Sequence, residues 1–365
     1  VARESVGFVV PGDLESRTGG YGYDRRMIAG LRARGWSVDV LPLDASFPCP
    51  TPDALREAAR TLAAIPDGRT VVIDGLALGA MPNEVEREAE RLWCVALVHH
   101  PLAAEPGIDP ATVIELTNSE KRALAAVRQV VVTSQATART LAAYGVASDR
   151  ILVVEPGTDP APPARGSSGG PLQLLYVATL IPRKNHLGLL DALASIPNHR
   201  WRLVCAGSLD RDRATADAVR DRLRRDGLED RVRLVGELGE ADVASCYDSA
   251  DLFVFPTLYE GYGMAVAEAL ARGLPVVATA AGAIPDLVLG EAGTGEEAGI
   301  VVPPGDVKRL ADALALMLDD HRARERFRQG ALRARRRLPT WDQASERMAV
   351  GLGRRAQAAA LRDRP

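Results

Sequence analysis

Glu260 and Glu268 stand eight positions apart in YEGYGMAVAEA, with Gly261 and Gly263 just after the first. Two carboxylates could act as an acid/base pair, or each could accept hydrogen bonds from vicinal hydroxyls on a hexose or a ribose. The glycines let a backbone approach a ligand. The free amides of a helix opening behind them would face an anion with the positive end of the dipole. An all-apolar run, LFVFPT (252–257), precedes this loop, and a helix is expected from about Met264 to Arg272, closed by Gly273. Glu268 then lies about one turn into that helix, too far from Glu260 to share one proton. The pair reads as a clamp on hydroxyls; two solvent-facing acids on an amphipathic helix are the plainer alternative.

Three more stretches offer chemistry. ATLIPRKNHLGLL (178–190) places Arg183 and Lys184 just after an apolar run. Two cations at a strand's carboxyl end suit a pyrophosphate leaving group, whose charge grows as its bond breaks; elsewhere such a pair is merely solvated. ESRTGGYGYDRR (15–26) holds Gly19 and Gly20, whose backbone could approach a phosphate or sugar or could form a plain tight turn. It is not G-x-G-x-x-G, so a nicotinamide enzyme has no fingerprint here. LVHHPLAAE (97–105) brings His99 or His100 to a strand end, where one imidazole could donate to a sugar hydroxyl or simply pack. Five histidines and no carboxylate at ligand spacing argue against a metal site. Asp210-x-Asp212 resembles a metal-binding pattern but sits in a run of alternating charge, as an exposed helix start does.

Short β-branched runs alternate with helical segments along the whole chain, the pattern of α/β domains with parallel sheets. Strands are expected near 6–10, 36–43, 70–75, 92–98, 129–134 and 151–157, with helices near 21–35, 52–64, 83–91, 118–128 and 135–144. A Pro, Gly and Ser-rich linker follows at 159–171. A second series has strands near 172–179, 201–207, 232–237, 252–257, 275–279 and 299–303, with helices near 185–195, 212–226, 240–248, 264–272 and 306–318. Two doubly wound, Rossmann-like domains facing across a cleft would seat a ligand at the carboxyl ends of their strands. The arginine-rich helix from His321 onward reads as a solvated face rather than a polyanion site.

A chain of 365 residues is long enough for two cores. Its composition, 47% hydrophobic and 25% charged at net charge −3, is that of a globular protein and gives no reason to expect nucleic-acid binding. No apolar run is long enough for a membrane span, VARESVGFVV lacks a signal-peptide layout, and the four scattered cysteines suit reduced thiols, so a cytoplasmic protein is expected.

With these residues in place, the chain resembles the retaining glycosyltransferases of family 4, which have the GT-B fold. Glu260-x7-Glu268 within FPTLYEGYGMAVAEALARGLPVVAT resembles that family's E-x7-E signature, and ATLIPRKNHLGLLDAL its phosphate-binding segment. VVTSQATARTL, VVEPGTD and AAGAIPDLV are similar to its recurring connectors. The resemblance implies a donor domain at 166–339 and an acceptor domain at 1–165, joined by a returning helix at about 340–365. It assigns Glu268 to the nucleotide ribose, Glu260 to the donor hexose, and Arg183 and Lys184 to the diphosphate. Gly261 and the amides of Tyr262, Gly263 and Met264 would line sugar and phosphate. Gly236, Glu237 and Leu238 would lie by the nucleobase, Gly19 and Gly20 over the donor, and His99 near the reacting carbon. Thr179 stands where many members carry an arginine, which shifts more of the pyrophosphate charge to Arg183. Gly263-Met264-Ala265 departs from the common leucine and proline, which leaves the sugar open.

The implied reaction is hexosyl or N-acetylhexosaminyl transfer with retention, from a nucleotide-diphosphate sugar, UDP ahead of GDP, to a small metabolite or glycan. It needs no metal or other cofactor. His99, Glu260, Arg183 and Lys184 would act in catalysis. No nucleic acid and at most peripheral membrane contact are expected. A GT-B glycoside phosphorylase and a non-catalytic nucleotide-sugar-binding protein are the alternatives.

Overall fold

The computed structural model describes residues 4–167, 169–198, 200–290 and 296–362, with side chains up to Gly353. Its contacts divide the chain into two units: one runs through Gly157 and is rejoined from Pro339, the other is Thr158–Leu338.

In chain order the first unit has β1 (Ser5–Pro11), α1 (Gly19–Ala33), β2 (Ser37–Leu43), α2 (Pro52–Ala63), β3 (Thr70–Asp74) and α3 (Gly75–Leu78). It continues with α4 (Pro82–Glu88), β4 (Trp93–Val98), α5 (Pro110–Ala126), β5 (Gln129–Val132), α6 (Gln135–Ala142) and β6 (Ile151–Val153). The second unit has β7 (Leu172–Val177), α7 (His186–Ala194), β8 (Trp201–Ala206), α8 (Arg213–Asp226), β9 (Val232–Gly236), α9 (Glu240–Asp248) and β10 (Leu252–Phe255). After these come α10 (Met264–Ala271), β11 (Val276–Thr279), α11 (Ile284–Leu289), β12 (Gly299–Val302), α12 (Val307–Asp319) and α13 (His321–Ala334). Finally α14 (Trp341–Arg362) returns to the first unit.

Each unit holds one six-stranded sheet, ordered β2-β1-β3-β4-β5-β6 in the first and β12-β11-β10-β7-β8-β9 in the second. Every described pairing is parallel. Strands covered by helices on both faces can be apolar throughout, and β10 (LFVF) and β11 (VVAT) are buried at every position. The chain winds outward in both directions from β7 in the second sheet, so its order reverses between β7 and β10. In the first sheet it reverses between β1 and β3. Loops leaving the carboxyl ends of such neighbours part to opposite faces and leave room for a ligand.

Three differences from the sequence expectations have local causes. Helix α5 starts eight residues early because Asp109-Pro110 begins it: the Asp109 carboxylate accepts from Ala111 and Thr112 amides. The short helices α3 and α11 carry too few residues to show a period. The proline-rich stretch is no free linker: Ala164 N donates to Arg272 O, Gly166 N to Asp248 O, and Arg335 donates to Ala161 O. Those bonds tie it to the second unit.

Helix α14 lies on α1. A Cβ on Gly30 would stand 2.3 Å from that of Ser345, so only glycine permits this approach. Arg34 reaches the Ser345 hydroxyl at 2.8 Å and the Asp342 carboxylate. Residues 363–365 of the expected returning helix lie outside the described residues.

Candidate active site

In the second unit the sequence candidates converge where the sheet order reverses. After β7, residues Pro182–Lys184 form one 3-10 turn, and Asn185 adopts a left-handed conformation (φ 53°) that lets its side chain cap α7 through Gly188 N. The Asn185 amide also donates to Pro256 O at 3.2 Å, and Leu258 N donates to Arg183 O at 2.8 Å. The turn is thereby sewn to the segment leaving β10. Tyr176 of β7 donates its hydroxyl to Lys184 O from below.

This places three charges together. Lys184 Nζ lies 2.5 Å and Arg183 Nη1 3.7 Å from Glu260 Oε2, and Arg183 also donates to Tyr259 O at 3.1 Å. Each side chain keeps between 12 and 16% of its surface open to solvent, and Lys184 Nζ also stands 4.9 Å above the Phe255 ring. Two cations and one anion leave net positive charge at a partly dry surface, where an added anion is attracted with little screening. Beside them Gly263 (φ 98°) is the N-cap of α10, so the helix starts at Met264 with no side-chain hydrogen bond from its cap residue. Gly261 and Tyr262 are buried between.

Glu268 is held separately. The Tyr247 hydroxyl lies 3.0 Å from Glu268 Oε2, and Arg272 covers the Tyr247 ring at 4.5 Å while donating to Glu268 O. The two glutamates thus have separate partners, as their spacing predicts. Thr179 follows β7, where Ile181 N donates to its carbonyl. Gly207 N donates to Gly236 O at 2.8 Å, which sets Gly236, Glu237 and Leu238 at the end of β9, next along the sheet. His186, beneath the cationic turn, finds no hydrogen-bond partner among the described residues for either ring nitrogen. Burial first, and then the charge of Lys184, push its pKa down to about 3.

In the first unit Gly19 opens α1, capped by the Thr18 hydroxyl, and Arg25 holds the preceding loop through the carbonyls of Leu14 and Ser16. Gly20 faces His99: a Cβ there would meet His99 Cδ2 at 3.5 Å. His99 turns Nε2 inward, 3.3 Å from Asp24 Oδ1 and 3.7 Å from Asp74 Oδ2, whereas His100 Nε2 pairs with Glu105 at 3.0 Å. His99 therefore has two carboxylate neighbours, although no carboxylate stands at ligand spacing in the sequence. Asp24 comes from α1 and Asp74 from the end of β3, 75 and 25 positions away, which local spacing does not reveal. The three donor atoms lie within 4.8 Å of one another. Asp212, by contrast, caps α8 through Thr215 N, a structural task.

Residues 159–334 match the family model for glycosyl transferases group 1. A D-inositol 3-phosphate glycosyltransferase of Thermomonospora curvata is 30% identical over 299 residues, covering 73% of this chain and 68% of that relative. The chain belongs to the glycosyl transferases group 1 family. Among solved structures, sucrose-phosphate synthase from Thermosynechococcus elongatus matches with a TM-score of 0.80 at 22% identity, over 98% of this chain and 100% of that one. Anabaena HepE in complex with UDP-glucose matches at 0.72 and 20%, over 96% and 99%. These likenesses give the GT-B fold of two Rossmann-like units, and the family gives glycosyl transfer. In this group 1 glycosyltransferase the matched stretch contains the whole Arg183–Lys184–Glu260–Glu268 arrangement. No helix among the described residues is long and apolar enough to cross a membrane.

Sequence reasoning passed over Tyr247, Gly282, Asp24 and Asp74. Gly282 (φ 55°) lies so close that a Cβ would stand 1.8 Å from Glu260 O. Its place in AAGAIPDLV, just after a strand, was the available signal.

Proposed function

We propose that the chain transfers a hexosyl or N-acetylhexosaminyl group, with retained configuration, from a nucleotide-diphosphate sugar, UDP ahead of GDP, to a nucleophile on a small metabolite or glycan. The observation that carries this reading is the meeting of Arg183, Lys184 and Glu260 beside the start of α10. Arg183, Lys184 and the helix amides would hold the diphosphate and stabilise the charge that grows on it. Glu260, released from Lys184 as the anion arrives, would accept from the sugar hydroxyls, and Glu268, oriented by Tyr247, from the ribose. Gly236, Glu237 and Leu238 are assigned to the base, with Thr179 and the Gly261–Met264 backbone beside the phosphates and sugar. The second unit, 166–339 in the sequence reading, is thus the donor domain. The first unit with its returning helix would serve the acceptor, and we assign Gly19, Gly20 and His99 to the sugar-transfer step.

The chemistry is front-face substitution. The bond between the anomeric carbon and the diphosphate oxygen breaks, the acceptor oxygen bonds that carbon on the same face, and its proton passes to the leaving diphosphate. The protein's cations do the work a metal would otherwise share, so the reading includes no metal or other cofactor. HepE, whose structure holds UDP-glucose, supports a UDP-sugar donor, and the inositol phosphate named for the Thermomonospora relative supports a small hydroxylated acceptor. We place the reaction in the cytoplasm: the four cysteines are free thiols, in keeping with a reducing compartment.

The test is release of UDP or GDP from a panel of nucleotide sugars, with the anomeric configuration of the product followed by proton NMR. Retention with nucleotide release supports the reading. Inversion overturns the mechanism, and release that requires inorganic phosphate overturns transfer in favour of phosphorolysis.

A further inference from the structure

Asp24 and Asp74 are buried carboxylates, 0 and 3% exposed, beneath the one histidine assigned to sugar transfer. A buried carboxylate needs donors or a counter-charge. Asp74 has a donor of its own, because its Oδ1 caps α3 by accepting from Leu76 N at 2.7 Å. Asp24 has no backbone amide or hydroxyl donor among the described residues, and His99 Nε2 approaches its Oδ1 at 3.3 Å. The hydroxyl of neighbouring Tyr23 is committed to Val154 O at 3.0 Å. Among the described residues, the Nε2 of His99 is the one cationic or donor group that faces Asp24 at ion-pair distance.

We propose that Asp24 and Asp74 are positioning residues that hold His99 as an imidazolium, its Nε2–H fixed inward between them, while the two carboxylates share the cluster's remaining proton. The inference rests on the assignment of His99 to the transfer step. Neutral His99 in the other tautomer would aim a lone pair at two carboxylates, so the arrangement itself selects a proton on Nε2. A second proton on the carboxylates brings two anions and one cation to neutrality in a dry interior.

Arg26 of α1 lies over the Trp341 ring at 5.4 Å. Tyr23, from α1, meets the His99 ring edge-on at 5.4 Å, and burial holds its phenol protonated. Trp341, from α14, backs Tyr23, and Thr133 and Thr137 direct hydroxyls at His99 O. The neighbouring His100 pairs with Glu105 at 3.0 Å. Titration follows the geometry. Burial, then the charge of Asp24, raises the Asp74 carboxyl to about 7. Burial alone would depress His99, but hydrogen bonding to Asp24 and the two negative charges outweigh it and raise its pKa. Gly20 faces the Cδ2–Nε2 edge of the ring, where a Cβ would be in ordinary contact at 3.5–3.6 Å.

The experiment is a nitrogen-15 NMR titration of imidazole in the full chain. It has five histidines, and His99→Gln assigns the signal. His99 is expected to titrate above the usual value of about 6.5, and Asp24→Asn to lower it by at least about one unit. Asp74→Asn imitates the protonated carboxyl, so it should keep His99 charged through neutrality and remove the cluster's titration step near pH 7. A merely structural role predicts no such shifts.

His99 titrating at or below its ordinary value in the unmodified chain would overturn the proposal, as would a titration unmoved by Asp24→Asn. Stoichiometric Zn2+ or Mn2+ displacing the His99 signal in the unmodified chain but not in Asp24→Asn would give the cluster to a metal instead. Should Asp24→Asn fail to fold, the unmodified chain and Asp74→Asn decide. Donor binding is measured apart from this titration, so failure of the transferase reading leaves the result for His99 intact and distinguishable.

Discussion

The two sheets reverse their strand order in the same way and use the place so created differently. In the second unit the loops after β7 and β10 bring Arg183, Lys184 and Glu260 to a partly open surface beside the start of α10. In the first unit the ends of β3 and β4 and the start of α1 bring two buried carboxylates beneath a partly exposed imidazole. One cluster is net positive and able to receive an anion. The other buries its two carboxylates beneath a histidine that is 19% exposed. Topology supplies the place, and the side chains decide whether it binds or positions.

The comparison breaks first at the cations. Lys184→Ala and Arg183→Ala should each lower donor turnover by about 100- to 1,000-fold, measured as nucleotide release, while the fold is retained by circular dichroism. Glu260→Gln sharpens the division of labour within the cluster. Binding of UDP alone should not weaken, because the cations lose a competitor, while sugar turnover falls at least about tenfold. Weaker UDP binding in that variant would mean that Glu260 holds the cations in place rather than meeting the sugar.

Gly282→Ala tests the backbone beneath. The 1.8 Å approach to Glu260 O and the left-handed φ should cost about 2–4 kcal/mol of unfolding free energy, read by urea titration. A smaller and pH-dependent effect belongs to His186. Its depressed folded-state pKa means that its contribution is present above the unfolded value of about 6.5 and is lost as pH falls toward about 3. His186→Phe should therefore gain about 1–2 kcal/mol on the unmodified chain between pH 7 and pH 5. Equal slopes for the two proteins would contradict the burial argument. The smallest change is Tyr247→Phe, which removes one hydrogen bond to Glu268 and should raise the donor KM about threefold to tenfold with kcat unchanged.

How much of this was legible differs between the two regions for a physical reason. Arg183, Lys184, Glu260 and Glu268 lie in two contiguous stretches, each holding a strand end, a turn and a helix start, so their roles could be argued from local order. Strands such as β10 and β11 were legible as apolar runs because parallel strands covered on both faces can be apolar throughout. Asp24 and Asp74 were not legible: they meet His99 only because β3 and β4 pair and α1 rises beside them. Tyr247 was read as part of an ordinary helix, and its bond to Glu268 spans 21 positions. The extent of α5 was missed because its start depends on one cap, Asp109, rather than on a periodic face.

The central claim, that the second unit's reversal point holds the donor's diphosphate, is tested most directly by thermal shift with UDP, GDP and their sugars. Saturating nucleotide at about 100 times Kd should add about 2.7 kcal/mol of stability, and this gain should fall away in both Arg183→Ala and Lys184→Ala. No shift with any nucleotide, or an equal shift in the two variants, would contradict the account.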